Sequence, residues 1–211
     1  MSDMTKPGLR ERKKEQTRAL IADTARRLFA ERGFDHVTVA EIAREADVSE
    51  KTVFNYFPAK EDLFYSRLEA FEEDLLRAIR ERRDGTSVLD AFRAFLMGRQ
   101  GVFALDEGAT EQLRSMTRLI TESPALLARE REVFERYADA LAGLIAEEMG
   151  AAPGDVEPRA VAGALLGVHR ALIDYVRRRA LDGAAAADIG PDVRRQAKRA
   201  FTRLERGLAD L

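Results

Sequence analysis

The chain has no cysteine and only two histidines, His36 and His169, among its 211 residues. The first absence excludes disulfides and thiolate metal sites and leaves redox compartment unreported. Neither histidine stands in the Glu-x-x-His arrangement of helical di-iron sites. A Gly-x-x-x-x-Gly-Lys phosphate loop and a Gly-x-Ser-x-Gly turn are also missing. Carboxylates are plentiful, but adjacent ones such as Glu147 and Glu148 do not face each other on a helix. These absences predict no catalytic residues, no metal and no cofactor. Long apolar runs are missing as well. The longest uncharged one, Ala160 to Val168, is far too short to span a bilayer. The opening residues, MSDMTKPGLRERKKEQ, lack the apolar core of a signal peptide, so a cytoplasmic chain with no membrane partner is expected. Finally, no strong excess of charge of one sign exists: the formal net charge is −2, which does not suit a general polyanion binder.

What is present is helical periodicity. The hydrophobic share of 45% supports a real core, and 211 residues suit one or two domains. No run alternates apolar and polar residues as a half-buried strand would. The spacing predicts helices over about 11–32, 38–46, 50–57, 60–83, 86–105, 109–121, 124–149, 158–181 and 191–209. Gly33 stops the first and Pro58 the third. Asp84-Gly85-Thr86 closes the fourth and can cap the fifth. Pro124 and Pro158 lie near helix starts, where a missing amide matters little. Gly150 to Gly154 and Leu181 to Gly190 read as Gly- and Ala-rich connections. The expected fold class is all-α.

The segment Thr38 to Leu63, TVAEIAREADVSEKTVFNYFPAKEDL, carries the most information. Val39, Ile42, Ala43 and Ala46 share one helical face, and Asp47-Val48-Ser49 breaks it. Ser49 is a preferred N-cap, because its hydroxyl can accept from an unpaired amide of the next helix. That helix, about 50–57, is too short to be stable alone. A short helix held at an angle on another is what enters a DNA major groove. At about 100° per residue, Lys51, Thr52, Asn55 and Tyr56 fall on one arc and Val53, Phe54 and Phe57 on the other. The apolar arc can hold the helix to a small core. The polar arc offers an ammonium, a hydroxyl, an amide and a phenol to base edges and phosphates. The same partition also suits an amphipathic helix whose polar face is simply solvated. Arg10, Arg12, Lys13, Lys14 and Arg18 crowd the entry of the first helix, opposed only by Glu11 and Glu15. Such a basic arm suits phosphate contact, and it equally suits a solvated, frayed terminus.

These residues resemble the tetracycline-repressor (TetR) family of bacterial transcriptional regulators. The family pattern runs from a phenylalanine-containing turn and Gly through Thr-x-x-x-Ile-Ala-x-x-Ala-x-Val-Ser to Thr-x-Tyr-x-His-Phe-x-x-Lys-x-x-Leu. The chain has Leu28-Phe29-Ala30-Glu31-Arg32-Gly33-Phe34, then Thr38, Ile42-Ala43, Ala46 and Val48-Ser49. It continues with Thr52, Phe54, Tyr56-Phe57, Lys60 and Leu63. The matches cover roughly the first third of the chain. The resemblance implies a helix-turn-helix DNA-binding domain over 1–58 and a helical effector-binding and dimerisation domain over 59–211. It implies that Thr38 contacts phosphate, that Ser49 caps the recognition helix, and that Glu50, Lys51, Thr52 and Asn55 lie nearest base edges. Tyr56 and Lys60 would bind the backbone beside the groove. Phe54 stands where the family usually has Tyr, so it packs or touches a thymine methyl. Tyr56 stands where His is common. Glu50 could select a cytosine amine, pair with Lys51, or favour the helix N-terminus.

The resemblance also implies a homodimer on a palindromic double-stranded DNA operator, released by a small-molecule effector. For the dimer, helix 158–181 offers a stripe of Val161, Leu165, Val168 and Leu172, widened by Ala164, Ala171 and Tyr175. Gly163 and Gly167 allow close backbone approach. Helix 191–209 adds Val193, Ala197, Phe201, Leu204 and Leu208. The same stripes would serve a monomer core. For an effector, Met97, Phe103, Met116, Ile120, Phe134 and Tyr137 are the adaptable and aromatic candidates among helices 86–149, though each alone also suits a core. Arg114 and Arg118 could meet an anionic effector or pair with nearby Glu. His169 reads as a core or interface histidine. A helical interaction module without DNA binding is the alternative reading, but such a module has no need of Lys51, Thr52, Asn55, Tyr56 and Lys60 together.

Overall fold

Apolar residues recurring at three- and four-residue intervals bury one stripe of each helix, and the chain folds by stacking those stripes. The computed structural model describes residues 8–98 and 109–207. Among them are nine α-helices and no strand: α1 Leu9–Arg32, α2 Val39–Glu45, α3 Glu50–Tyr56, α4 Lys60–Arg80, α5 Val88–Met97, α6 Ala109–Glu122, α7 Pro124–Met149, α8 Glu157–Leu181 and α9 Ala186–Arg206. The expected all-α architecture is therefore observed. Most boundaries have local causes. Gly33 leaves α1 at φ 85°, where its amide donates to the Phe29 carbonyl at 2.9 Å. Ser87, rather than the expected Thr86, caps α5, accepting from the Asp90 amide at 3.0 Å. Pro124 and Pro158 occupy first-turn positions of α7 and α8, where no intrahelical amide bond is lost.

One boundary differs clearly from expectation. α9 starts at Ala186 and runs through Pro191, whereas the sequence reading begins it at 191. Pro191 lies within the first two turns, so it removes only one amide bond. The alanines before it are strong helix formers and extend the helix backward. The connection shrinks to Asp182–Ala185. The expected helix 86–105 is observed to Met97, and its remainder from 99 lies outside the described residues.

Two hydrophobic clusters organise the packing. The first joins α1, α2 and α3 through Ile21, Leu28, Phe29, Phe34, Ile42, Val53 and Phe57, and continues into Leu63 and Phe64 of α4 and Ile120, Leu126 and Val133 of α6 and α7. The second fills the remainder with Leu75, Ile79, Phe92, Leu96, Tyr137, Leu141, Leu165, Val176, Val193 and Phe201. Helix α4 therefore belongs to both clusters, its first turn to one and its last turns to the other.

Candidate nucleic-acid interface

The helix-turn-helix is set by two caps and one strained corner. Thr38 and Glu41 form a reciprocal capping box on α2: the Glu41 amide donates to Thr38 Oγ1 (3.2 Å) and the Thr38 amide to Glu41 Oε2 (2.8 Å). The Thr38 hydroxyl also donates to that carboxylate, at 2.9 Å. Asp47 turns the chain at φ 53°, a left-handed conformation that Asp tolerates better than most residues. The Thr52 amide then donates to Ser49 Oγ at 3.1 Å, capping α3, and the two hydroxyls share a hydrogen bond of 2.8 Å.

Helix α3 buries Val53, and its C-cap residue Phe57 is buried beside it, each 1% exposed. Glu50, Lys51 and Asn55 face outward, with Thr52 partly covered. Phe54, placed on the apolar arc from sequence, is 47% exposed instead. It is 100° around from Val53, while Phe57 returns to within 40° of it, so only those two share the core-facing side. Tyr56, placed on the polar arc, packs partly against the first cluster. Two cations brace this unit. The Arg18 guanidinium lies 5.0 Å from the Phe57 ring centre, and Lys60 Nζ lies 4.3 Å from that of Phe34. Burial lowers the Lys60 pKa, opposed by Asp35, Glu61 and Glu41. A cleft of about 380 Å³ brings Lys14 and Arg18 of α1 beside Asn55 and Tyr56 of α3. Glu11 and Glu15 of α1 and Glu73 of α4 line it too.

Three contacts fasten the helix-turn-helix and the start of α4 to the helices beyond. Asp62 accepts from the Ala59 amide at 2.9 Å, which caps α4, and from Arg129 Nε of α7 at 2.7 Å. The Tyr65 hydroxyl donates to the Leu126 carbonyl at 3.0 Å, and the Ser123 hydroxyl to Asp35 Oδ1 at 3.1 Å. Beside Arg129, buried Glu130 reaches the other way and takes both arms of Arg177 on α8, at 2.6 and 3.2 Å.

In the body, the six effector candidates do not converge. Met116 is 43% exposed, and Ile120 belongs to the first cluster. Met97 packs against the second cluster, and Phe103 lies outside the described residues. Phe134 and Tyr137 each meet groups that the sequence reading did not bring together: Tyr137 lines a groove with Glu72, and Phe134 packs near His169. The His169 ring lies 5.6 Å from Phe71, 6.4 Å from Phe92 and 6.2 Å from Phe134. Both its nitrogens lack hydrogen-bond partners, as do the Tyr137 hydroxyl and Glu72 Oε1. Burial lowers the His169 pKa to about 4 and raises Glu72 to about 8, with Glu69 and Glu73 adding and Arg136 opposing. One sequence signal pointed to Glu72: it interrupts the stripe Leu68, Leu75 and Ile79 at helical spacing. Arg114 pairs with Glu111.

Along α8 and α9 the expected interface residues divide. Leu165, Leu172 and Phe201 are buried within the protomer's own core. Val161 is 38% exposed, while Val168, Tyr175 and Leu204 are partly covered. A shallow groove of about 480 Å³ runs past Ala164, Gly167, Val168, Ala171 and Tyr175 to Gln196 and Ala200 of α9.

A capped helix-turn-helix with an outward polar face, packed against further helices, defines a DNA-binding transcriptional regulator. Residues 21–66 match the family model described as bacterial regulatory proteins, tetR family, and residues 86–209 match that of the MftR C-terminal domain. The regulator TcmR of Streptomyces glaucescens is 34% identical over 170 residues, covering 78% of this chain and 74% of the relative. MftR of Mycobacterium tuberculosis, named for mycofactocin biosynthesis, is 29% identical over 157 residues, covering 74% and 78%. Among solved structures, NalD of Pseudomonas aeruginosa, the secondary repressor of the MexAB-OprM multidrug efflux pump, superposes with a TM-score of 0.57 at 23% identity over 90% of this chain and 96% of its own. The chain belongs to the TetR family of bacterial regulatory proteins. Members bind DNA and dimerise, and the family is not one of enzymes. No described helix is long and apolar enough to cross a membrane.

Proposed function

We propose that this regulator is a cytoplasmic repressor that binds a palindromic operator as a homodimer and is released by a small-molecule effector. The carrying observation is the partition of α3, with Val53 and Phe57 buried and Lys51, Phe54 and Asn55 exposed on a capped helix. Lys51 and Asn55 read base edges, with Glu50 and Thr52 beside them, and exposed Phe54 meets a thymine methyl. Tyr56 and Lys60 line the phosphate backbone, and Lys14 and Arg18 extend that surface. Thr38 and Ser49 hold the two helix starts. The Thr38 hydroxyl and amide are both engaged by Glu41, so its part is to shape the corner, with a phosphate contact requiring exchange of that partner.

Residues 1–58 act as the reading unit and 59–211 as the sensing and dimerising unit, with α4 shared between their cores. The exposed small-residue strip on α8, together with Val161, Val168, Tyr175 and Leu204, meets its copy in a second protomer. An effector that prefers one spacing of the two reading units shifts the dimer population away from operator register. Selection of bound sequences from a random DNA pool tests the reading. Enrichment of a two-fold symmetric site is expected, lost for Lys51→Ala with Asn55→Ala. Equal retention of all sequences by the unaltered protein would refute it.

A further inference from the structure

A groove of about 290 Å³ opens between α4 and α7, at the small end of ligand-site volumes. Its walls carry Glu69, Glu72 and Glu73 from α4 and Tyr137 from α7, with Leu76 and Ala140 as apolar floor. The one cation lining it, Arg136, gives its guanidinium to Glu69 at 2.7 Å. Glu72 is 8% exposed and Tyr137 2%, yet neither Glu72 Oε1 nor the Tyr137 hydroxyl has a hydrogen-bond partner. Buried polar groups left this way are costly, and native proteins retain them where something else completes them.

We infer that this groove binds an organic cation, a protonated amine with a short apolar or aromatic body, whose ammonium is held by the Glu72 carboxylate and the Tyr137 hydroxyl. The inference rests on the effector reading above and names the chemical class of that effector. Charge decides the class. An anion would enter beside the Glu69 and Glu73 carboxylates, opposed by one guanidinium that is already engaged. A neutral alcohol could satisfy the hydroxyl but brings no charge that would draw Glu72 into its ionised form. An ammonium satisfies both, and the bond it makes to a carboxylate is the stronger, charge-assisted kind. The Glu72 carboxyl, raised to about 8 by burial, gives up its proton when the cation arrives, so binding near neutral pH releases protons. The groove also has a mechanical neighbour. Glu73, on its rim, is shared with the cleft that holds Lys14, Arg18, Asn55 and Tyr56. A cation seated at Glu72 is therefore one residue along α4 from the wall of the DNA-facing cleft.

Calorimetric titration of the full chain with phenylbutylamine, phenylbutanol and phenylbutyrate tests this. The amine is expected to bind at least about tenfold more tightly than the alcohol, with proton release visible as a dependence of heat on buffer. Glu72→Gln should abolish that preference, and Tyr137→Phe should weaken amine binding several-fold. Either variant that melts well below the parent is set aside in favour of the other. Equal affinity for amine and alcohol, a preference that survives Glu72→Gln, or no saturable amine binding up to about millimolar concentration would overturn the proposal. Operator binding with and without the amine is measured separately. Amine binding that leaves operator affinity unchanged defeats the effector reading while the cation site stands.

Discussion

Arg129 of α7 closes on Asp62 in the first turn of α4, its Nε 2.7 Å from Oδ1, while the second carboxylate oxygen caps the helix through the Ala59 amide at 2.9 Å. One buried carboxylate thus starts α4 and fixes it to the body. Asp62→Ala leaves Arg129 without this partner and the helix without its cap, so a loss of about 2–4 kcal/mol is expected in urea unfolding. Asp62→Asn should keep the cap better than the ion pair and lose less. Equal losses for both variants would show that the carboxylate charge carries the whole effect and that the cap adds nothing.

Replacements on α3 should separate reading from folding. Lys51→Ala and Asn55→Ala are each expected to reduce discrimination between operator and non-operator DNA by about 1–3 kcal/mol, with thermal stability unchanged because both side chains are exposed. Phe54→Ala should likewise leave stability within about 0.5 kcal/mol. Val53→Ala, at a fully buried position, should lower it. Melting curves beside competition binding give both readouts.

Lys60→Ala should weaken binding to all sequences alike and flatten the salt dependence of binding by about one unit of slope. A salt slope equal to that of the parent would confine Lys60 to its contact with Phe34.

Stability should depend on pH through two buried groups acting in opposite senses. Glu72 titrates near 8 when folded against 4.5 when free. Its contribution is therefore full below about pH 4.5 and is lost as pH rises through 8. His169 titrates near 4 when folded against 6.5 when free, so its contribution is present above 6.5 and lost as pH falls toward 4. Between pH 6.5 and 8 the Glu72 effect acts without opposition from His169. Urea midpoints should fall across that interval in the parent and stay nearly level in Glu72→Gln. A parent curve no steeper than that of the variant would show that Glu72 ionises freely.

Gly167 lines the groove on α8, and nothing lies within 4 Å of a Cβ added there. Gly167→Arg should therefore leave the protomer folded, with a small gain in helix propensity. It should block the approach of a second copy. Light scattering is expected to show monomer, and operator affinity to fall with it. A dimer of unchanged strength would move the interface elsewhere.

The residues that proved readable from sequence are those whose environment is set within a few positions. Ser49, Val53 and Phe57 occupy places dictated by a cap and by helical period. Phe54 and Tyr56 were harder, because each lies at the edge of its arc, where 100° per residue does not choose a side. Pro191 misled as a helix start because proline is tolerated anywhere in the first turns. Asp62 and Arg129 are 67 residues apart, and no local pattern announces such a pair. The burial of Glu72 was also hidden, whereas His169 already read as a core or interface histidine. Burial of a polar side chain depends on which helices cover it, and sequence periodicity records only that a covered position exists.

Consecutive residues Arg129 and Glu130 reach in opposite directions, one to Asp62 of α4 and the other to Arg177 of α8. Each added or deleted residue turns a helix by about 100°, so a single insertion between Pro124 and Arg129 would swing both side chains off their partners together. This stretch of α7 can accept substitutions one at a time, but its length is effectively locked. Variation in the size of the protein must be accommodated in the connections on either side.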